Sequence, residues 1–436
     1  MKPLLLAFCA SIMLTSSAIT FAAPDKQTYL KIADEVEKSL HDDDLNKWFP
    51  ASIDEKRGGF MENYREDWSS GDRAGQRSIV YQSRLTWLAS AAAMRYPKEA
   101  DRYLTISRHG VAELSSKMWD AEHGGFFWSI EEDGKPVADH GSEKHAYGNA
   151  FGIYAAAESY KATHDEDALA LAKKAFAWLD SHAHDADQGG YFEALDINGK
   201  PILDKNGSDA IGTRYGQTSM NTHIHLLEAL TGLYEVWPDE TVKARLAEVF
   251  EICLTKIYDE PGIQHMFFEP DWKPIPGPDS YGHDIETGYL LVEAATAFGR
   301  GDDPKAWLAA RNLVDHGIAV GFDQTHGGFY DSGTVDGKDL NTQKVWWVEA
   351  EGLNALLLMH EKYGSQTPKY WDTFVRQWDF ISKHQIDATH GGWYPYIAAD
   401  GTPFPRRAKS GRWTEGYHQG RAMLNVSAEL RKLAGE

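Results

Sequence analysis

Cysteine is nearly absent from this sequence of 436 residues, which contains only Cys9 and Cys253. A disulfide scaffold would need many more, so we expect a hydrophobic core to hold the fold together. Basic residues are also few, with 44 Lys and Arg against 65 Asp and Glu and a formal net charge of −21. This excess of negative charge repels nucleic acids and anionic lipid surfaces, so we expect neither as a partner.

The apolar run near the N-terminus, residues 4–14, is too short for a transmembrane helix, which needs roughly 20 residues. It follows the positive charge of Lys2 and precedes a small-residue stretch that ends at Ala22. This order is typical of a secretory signal peptide, which we predict over residues 1–22. We therefore expect residues 23–436 to form one domain that is free of the membrane and lies in the periplasm or outside the cell.

Aromatic residues, in contrast, are plentiful, with 15 Trp and 20 Tyr. A chain with 42% hydrophobic and 12% aromatic residues is globular rather than disordered. Trp and Tyr offer flat faces with a polar edge, which suit large cores and sugar rings alike. Neutral small molecules are therefore better candidate ligands than polyanions.

A Gly-Gly-aromatic motif recurs along the chain and sets the expected architecture. Five clear copies are present: Gly58-Gly59-Phe60, Gly124-Gly125-Phe126, Gly189-Gly190-Tyr191, Gly327-Gly328-Phe329 and Gly391-Gly392-Trp393. A degenerate copy at residues 264–267 supplies Phe267 as its aromatic, so that successive aromatics lie 62 to 76 residues apart. Six units with a period near 65 residues indicate repeated supersecondary units.

Each unit has an amphipathic helix before the glycines and a more apolar, Ala-rich helix after them. The second helices are predicted over residues 82–96, 147–160, 221–236, 284–298, 346–363 and 416–433. Because they are apolar nearly all round, we expect burial on both sides. Six outer and six inner helices predict an all-α fold, a closed (α/α)6 barrel of six helix-hairpin-helix repeats. An open helical solenoid is the alternative, although neither end resembles the polar capping repeat that a solenoid requires.

Polar side chains recur near the start of every inner helix, where the six helices are expected to converge on one mouth. They are Gln82, Arg84, Tyr147, Asn149, Asn221, His223, His225, His283, Glu286, Trp347, Glu351, Trp413 and His418. Large polar groups are costly to bury without partners, so the cluster indicates a ligand site or a dense hydrogen-bond network.

A metal site is the first candidate chemistry for these residues. His223 and His225 are two residues apart on a helix, about 200° around its axis, so they cannot grip one ion. His283 and Glu286 are three residues apart and share a helix face. We interpret this second pair as a carboxylate that orients an imidazole, and we expect no metal at the mouth.

Two further chemistries use the same residues. In a hydrolase, Glu286 and Glu351 would serve as an acid and a base across the cleft. Alternatively, two histidines act as exchanging acid and base, because imidazole titrates near neutral pH and can take and return a carbon-bound proton. Arg84 would then stabilise the developing oxyanion. The residue types alone leave these alternatives open.

Four stretches carry a resemblance to a known family. They are Asn221-Thr222-His223-Ile224-His225-Leu226-Leu227-Glu228-Ala229, Gly282-His283-Asp284-Ile285-Glu286, Lys344-Val345-Trp346-Trp347-Val348-Glu349-Ala350-Glu351 and Trp413-Thr414-Glu415-Gly416-Tyr417-His418. In this order they closely resemble the cellobiose 2-epimerases, a branch of the N-acylglucosamine 2-epimerase superfamily. The resemblance implies an (α/α)6 barrel that interconverts reducing-end glucose and mannose units of β-1,4-linked disaccharides without a cofactor. The alternatives are an aldose-ketose isomerase of the same superfamily and an inverting (α/α)6 glycoside hydrolase.

The resemblance also implies roles for individual residues. His283 and His418 would exchange the C2 proton on opposite faces of a cis-enediolate, and Arg84 would contact the oxygens around C1 to C3. His225 completes the expected catalytic group. The expected substrate-binding residues are Tyr147, Asn221, Glu286, Trp347, Glu351 and Trp413. The disaccharide is the only partner that we expect, and no metal is implied; the barrel is expected to be a monomer.

One segment departs from the family pattern, and another departs from the length of the repeat. Thr414-Glu415-Gly416 stands where the family resemblance leads us to expect Lys and Pro, which puts the local loop geometry in question. Residues 196–218 lengthen the third unit. They are expected to form either a mobile lid over the mouth or an ordinary long loop.

Overall fold

The computed structural model of the protein describes residues 21–73, 75–405 and 407–436. The predicted signal peptide, residues 1–22, lies outside the described residues except for its last two positions. None of the described helices is both long and apolar enough to cross a lipid bilayer.

Two rings of helices make up the fold. The inner helices are α3 (Ile79–Arg95), α5 (Ala146–Thr163), α7 (Met220–Val236), α9 (Tyr281–Ala297), α11 (Trp346–Tyr363) and α13 (Tyr417–Leu433). The outer helices are α1 (Lys26–Ser39), α4 (Ala100–Glu113), α6 (Glu166–Ala183), α8 (Glu240–Ile252), α10 (Pro304–His316) and α12 (Lys369–Phe380), and a short helix α2 (Asn46–Ala51) follows α1. Five outer helices end in a π-helical turn, at Leu40–Leu45, Leu114–Met118, Cys253–Ile257, Gly317–Gly321 and Ile381–Gln385.

Strands of two residues each border the inner helices. They are β1 (Arg77–Ser78), β2 (Ser129–Ile130), β3 (Thr218–Ser219), β4 (Tyr258–Asp259), β5 (Ile263–Gln264), β6 (Phe267–Phe268), β7 (Pro274–Ile275), β8 (Ser332–Gly333), β9 (Leu340–Asn341), β10 (Lys344–Val345) and β11 (Tyr396–Ile397). All pair antiparallel, as β1-β2, β4-β5, β8-β9, β10-β11 and the three-stranded sheet β3-β6-β7.

The inner ring is closed. Each inner helix packs against the next one along the chain, and α13 packs back against α3. Apolar side chains on several faces of these helices, such as Leu88 and Ile224, are fully buried, because the inner helices lie between the outer ring and the barrel axis. The predicted (α/α)6 barrel is therefore confirmed, and the open solenoid is wrong.

The first outer helix covers the last inner one. Helix α1 packs on the outside of α13, where Arg431 Nη2 lies 2.6 Å from both Asp34 and Glu37. The sixth inner helix is thus held from outside by a helix of the opposite end of the chain.

The Gly-Gly-aromatic motifs form tight turns that attach each hairpin to an inner helix. Gly125 has a φ of +71°, and a Cβ at this position would lie 2.8 Å from the Trp178 ring, so only glycine fits without strain. The backbone N–H of the aromatic that follows donates to an inner-helix side chain in four units. The pairs are Phe60 to Gln82 (2.7 Å), Phe126 to Asn149 (3.0 Å), Tyr191 to His223 (3.1 Å) and Phe329 to Glu349 (3.3 Å). Gln82, Asn149 and His223 therefore hold hairpins and do not form the mouth.

The degenerate motif of the fourth unit has a different register from the predicted one. Tyr258 bridges Gln264 in the way that Trp119 bridges Phe126 in the second unit. Gln264, not Phe267, thus occupies the place of the aromatic. Its buried amide donates to Asp284 of α9 at 3.2 Å, so a polar pair replaces the aromatic anchor in this unit.

Candidate active site

A cavity of about 260 Å³ opens at the N-terminal ends of the inner helices. It is lined by Arg84, Tyr147, Ile211, Asn221, His225, His283, Glu286, Trp346, Trp347, Tyr396, Trp413 and His418. Nine of the ten predicted site residues are in this lining. The tenth, Glu351, lies behind His418 and is fully buried, so the structure gives it a supporting position and not a place in the wall.

The helical repeat explains which polar residues face the cavity. The hairpin-holding positions include Gln82, His223 and Glu349, and each has a polar residue two places later. Two residues turn a helix by about 200°, so Arg84, His225 and Glu351 point toward the barrel axis when their predecessors point outward. The same relation links Asp284 to Glu286 and Gln419 to Arg421. His223 and His225 therefore serve different sites, as their spacing predicts.

Each histidine at the cavity has its Nδ1 atom occupied by a neighbour. The pairs are His225 with Glu228 (2.9 Å), His283 with Ser280 Oγ (2.7 Å) and His418 with Glu351 (2.7 Å). These bonds fix the ring orientation and leave Nε2 of each imidazole for the cavity. Three bases are thus presented to one small space by three different helices.

Burial favours the neutral form of these imidazoles. It lowers the pKa of His283 to about 3, assisted by His225 nearby. Burial also holds the pKa values of His225 and His418 well below the usual range, with the charge of Arg84 acting in the same direction. A neutral imidazole is the form that can accept a proton.

Arg421 joins the histidine partners into one network beneath the cavity. Its Nη1 contacts Glu228, and its Nη2 lies 2.9 Å from Glu286 and 2.8 Å from Glu351. The prediction that Glu286 orients His283 is wrong, because the carboxylate turns to this guanidinium and Ser280 takes its place. Burial raises the pKa of Glu286 to about 8, although the charge of Arg84 opposes this rise.

Arg421 and Glu228 were not among the predicted site residues. Arg421 follows His418 by three residues, and Glu228 follows His225 by three, so each shares a helix face with a predicted histidine. That spacing is the signal that could have found them. Both are fully buried. Glu228 acts on the cavity through His225, and Arg421 acts through the carboxyl groups that it contacts.

Arg84 is fixed in position by polar and aromatic contacts. Its Nη1 lies 3.2 Å from Glu415, and its Nη2 donates to the Tyr147 hydroxyl at 3.1 Å. The guanidinium also lies over the rings of Phe151, at 4.5 Å, and Tyr417, at 5.2 Å. Glu415, the unexpected residue before the last inner helix, thus anchors the arginine of the cavity. Burial raises the pKa of its carboxyl to about 7, against the opposing charge of Arg84.

Aromatic rings form much of the wall. The Trp347 ring lies 4.7 Å from that of His283 and 5.9 Å from that of His418. Trp413 lies 6.1 Å from Tyr147 on another side. Trp346 and Tyr396 also line the cavity and were not predicted, since single aromatics carry no positional signal in a chain rich in them.

The long segment of the third unit, residues 196–218, reaches the cavity through Ile211. A buried contact of 3.0 Å between Asp209 and His145 Nε2 anchors it, and Asp209 also accepts the backbone N–H groups of Ile211 and Thr213. Ser208 and Arg214 bridge antiparallel beside it. The segment is thus a fastened hairpin that adds an apolar wall.

Comparisons with known proteins agree with this geometry. The family model N-acylglucosamine 2-epimerase (GlcNAc 2-epimerase) matches residues 58–422. A protein named cellobiose 2-epimerase from Bacteroides fragilis is 30% identical over 401 residues, which cover 91% of this chain and 98% of that protein. The solved structure of cellobiose 2-epimerase from Spirochaeta thermophila has a TM-score of 0.82 at 29% identity, covering 93% and 98% of the two chains. A D-mannose isomerase from Thermobifida fusca is 25% identical over 398 residues, 85% of this chain and 88% of that protein. With a family match over most of its length, the chain belongs to the N-acylglucosamine 2-epimerase family.

Proposed function

We propose that the protein epimerises C2 of the reducing-end glucose or mannose unit in β-1,4-linked disaccharides such as cellobiose and mannobiose. One observation carries the proposal: His283 and His418, on different helices, both present Nε2 to the cavity that Arg84 also lines. Epimerisation needs a base on each face of one carbon atom and a positive group beside the oxygen that becomes charged.

The chemistry follows from these positions. Once the sugar ring is open, one imidazole takes the C2 proton, and the electrons of the broken C–H bond form a C1=C2 double bond. The carbonyl electrons move to O1, so the intermediate is a cis-enediolate whose charge faces the Arg84 guanidinium. The imidazole on the opposite face, which enters the cycle protonated, then donates its Nε2 proton to C2. The electrons on O1 re-form the C1 carbonyl, and C2 has the inverted configuration. The two imidazoles have exchanged protonation states, and solvent returns both to the starting form.

The geometry disfavours an inverting hydrolase. Such an enzyme holds its two carboxyl groups roughly 6.5–9.5 Å apart across the cleft. Glu286 and Glu351 instead lie on the same side and bond the same nitrogen of Arg421 at 2.9 and 2.8 Å. This arrangement leaves no room for an attacking water between the two carboxyl groups.

The choice of a disaccharide rests on similarity and on the wall of the cavity. Relatives named cellobiose 2-epimerase match nearly the whole chain, and Trp347 and Trp413 offer faces on which sugar rings stack. An aldose-ketose isomerase would move the proton from C2 to C1 with one base. A second base on the opposite side favours epimerisation.

Incubation in D2O with cellobiose, mannobiose, lactose and mannose tests the proposal. We expect NMR to show deuterium at C2 of the reducing unit, formation of the C2 epimer and an intact glycosidic bond. Release of monosaccharides would support a hydrolase, and conversion of mannose alone to a ketose would support an isomerase. Either result would refute the proposed function.

We further propose that the enzyme works as a monomer in the periplasm or outside the cell. The charge, apolar run and small residues of positions 1–22 support export. Mass spectrometry of the protein made in a Gram-negative host should give a chain that begins at Ala23. An uncleaved chain in the cytoplasm would contradict this, and light scattering would test the monomer.

A further inference from the structure

In four of the six units a buried, positively charged side chain lies where the hairpin meets the inner helix. In three units it is the residue directly before the helix N-cap: Arg77, Lys144 and Lys344. Each reaches the hairpin aspartate of its unit, as in the 2.9 Å contact between Lys144 and Asp120. In the last unit Lys409 fills this role and lies 2.7 Å from Asp387. The fold thus uses a buried positive charge to fasten these junctions.

The fourth unit has a carboxylate at the same position. Asp279 directly precedes the N-cap Ser280 of α9, where three sister units have Arg or Lys. It faces Asp284 and His316, and the ligand-type atoms of these three residues all lie within 4.8 Å of one another. No lysine or arginine of the described chain forms an ion pair with either carboxylate. The junction holds two carboxyl groups where its counterparts hold a positively charged side chain.

Several atoms of this cluster lack partners outside it. Both Asp279 oxygens, Asp284 Oδ2 and His316 Nδ1 are buried from solvent and have no donor or acceptor partner other than one another. The two carboxyls lie close enough to hydrogen-bond each other once one of them is protonated. His316 is 9% exposed, Asp279 2% and Asp284 0%. Other groups of acidic residues and histidines differ in this respect, since Lys409 bonds Asp387 and Arg421 bonds Glu286 and Glu351.

The imidazole shows what the cluster needs. His316 Nε2 is 2.9 Å from the Val335 carbonyl oxygen, which can only accept, so Nε2 is the donor. In the neutral ring the Nδ1 lone pair then points at Asp279 Oδ2 from 3.6 Å. Two lone pairs in contact repel, unless a proton or a metal ion lies between them. A carbonyl bond on the far ring nitrogen is also the usual support of a metal-binding histidine.

We propose that Asp279, Asp284 and His316 bind a divalent metal ion of the zinc or manganese class. Tetrahedral zinc with bonds of roughly 2.0–2.2 Å to nitrogen and oxygen places neighbouring ligand atoms about 3.3–3.6 Å apart, and the His316–Asp279 distance fits this range. Gln264 lies against Asp284, and its Oε1 has no partner. Rotation of this amide by about 180° supplies a fourth ligand. The ion fastens the fourth junction as lysine or arginine fastens the others.

The position of the ion gives it a structural role. Asp284 is adjacent to His283 in the first turn of α9 but points to the hairpin side, away from the cavity. A metal there fixes the start of the helix that carries His283 and Glu286 without touching substrate.

Metal content and thermal stability test this proposal. The tag-free chain is stripped with a chelator, dialysed against Zn²⁺ or Mn²⁺ and analysed by mass spectrometry of elements and by titration calorimetry. We expect about one ion per chain. At 100 times the dissociation constant the ion should raise Tm by about 3 °C for a chain of this length.

Variants identify the ligands. Asp279→Asn and His316→Gln should each weaken binding at least tenfold. Asp279→Lys, which restores the cation of the sister units, should abolish binding and give a Tm that no longer depends on zinc. His390→Gln is the matched control, because Lys409 already bonds the Asp387 of its cluster, and it should bind like the wild type. A stripped chain that takes up no ion overturns the proposal in favour of a proton shared by the two carboxyls. Binding that persists in the Asp279 and His316 variants overturns it in favour of a site elsewhere on the chain.

Discussion

Replacing one histidine should separate proton exchange from epimerisation. In His418→Asn, the side-chain amide can still donate to Glu351, so the carboxylate keeps a partner and the Arg421 network stays intact. His283 and its Ser280 contact, 2.7 Å long, are unaffected. One face of the substrate therefore loses its base while the other face keeps its own.

The magnitude follows from the loss of one acid-base group. General acid-base catalysis contributes roughly 10²- to 10⁴-fold, so epimerisation should fall by that factor, or about 3–5 kcal/mol in the barrier. Deuterium exchange at C2 should survive for one epimer only, because the remaining imidazole can still remove the C2 proton on its own face and return a deuteron there. His283→Asn should give the opposite preference.

The assay is NMR in D2O with the glucose-ended and mannose-ended disaccharides measured separately. His360→Asn is the control, since this buried histidine bonds Tyr29 at 2.8 Å, outside the cavity, and both reactions should continue at the wild-type rate. Equal exchange of both epimers in His418→Asn would refute the two-base arrangement. So would undiminished epimerisation.

Three further predictions follow from buried charges and from the glycine turns. Glu415→Gln should lower kcat/KM about 10- to 100-fold above pH 7, because hydrogen bonds to a charged group such as Arg84 contribute about 1.5–3 kcal/mol. Since the pKa of Glu415 is raised to about 7, the difference from the wild type should disappear at lower pH. A loss of kcat/KM that does not depend on pH would contradict the pairing of Glu415 with Arg84. His223, whose pKa burial lowers to about 4, stays neutral in the folded state while the unfolded chain takes up a proton below about pH 6.5. Stability should therefore fall by about 3 kcal/mol between pH 6.5 and 4, and urea unfolding of His223→Gln should show a correspondingly shallower dependence. Gly125→Ala should lower the free energy of unfolding by about 2–5 kcal/mol, because its backbone is left-handed and the added Cβ would press on the Trp178 ring. Gly134→Ala also has a positive φ, +84°, but no atom lies within 4 Å of the added Cβ, so it should lower this free energy by only about 1–2 kcal/mol. Thermal unfolding of the two variants measures the difference.

The period of the sequence predicted the barrel because each unit repeats its own local chemistry. Glycine pairs demand a positive φ at the same place in five units, and Ala-rich helices must be covered on all sides. The predicted bounds of the inner helices agree with the structure to within a few residues; for example, residues 221–236 were expected and α7 spans Met220–Val236.

Side-chain partners were harder to predict because charge, not periodicity, decides them. Glu286 shares a helix face with His283, yet the Arg421 guanidinium attracts its carboxylate more strongly than a neutral imidazole can. Glu415 and Arg84 are 331 residues apart, so no local pattern relates them. The predicted register of the fourth unit was also wrong. Phe267 was chosen because it is aromatic, whereas the structure places the polar Gln264 at that position.

The contact of α1 with α13 also has a consequence for the order of folding. Helix α1, which shields α13, is synthesised long before it. The barrel therefore cannot close until nearly the whole chain has been synthesised. A circular permutant that links α13 to α1 through a short flexible connection and opens a new terminus at an exposed turn, such as the one at Gly134, keeps every interhelical contact. The units of this permutant would fold in a different order and form the same barrel.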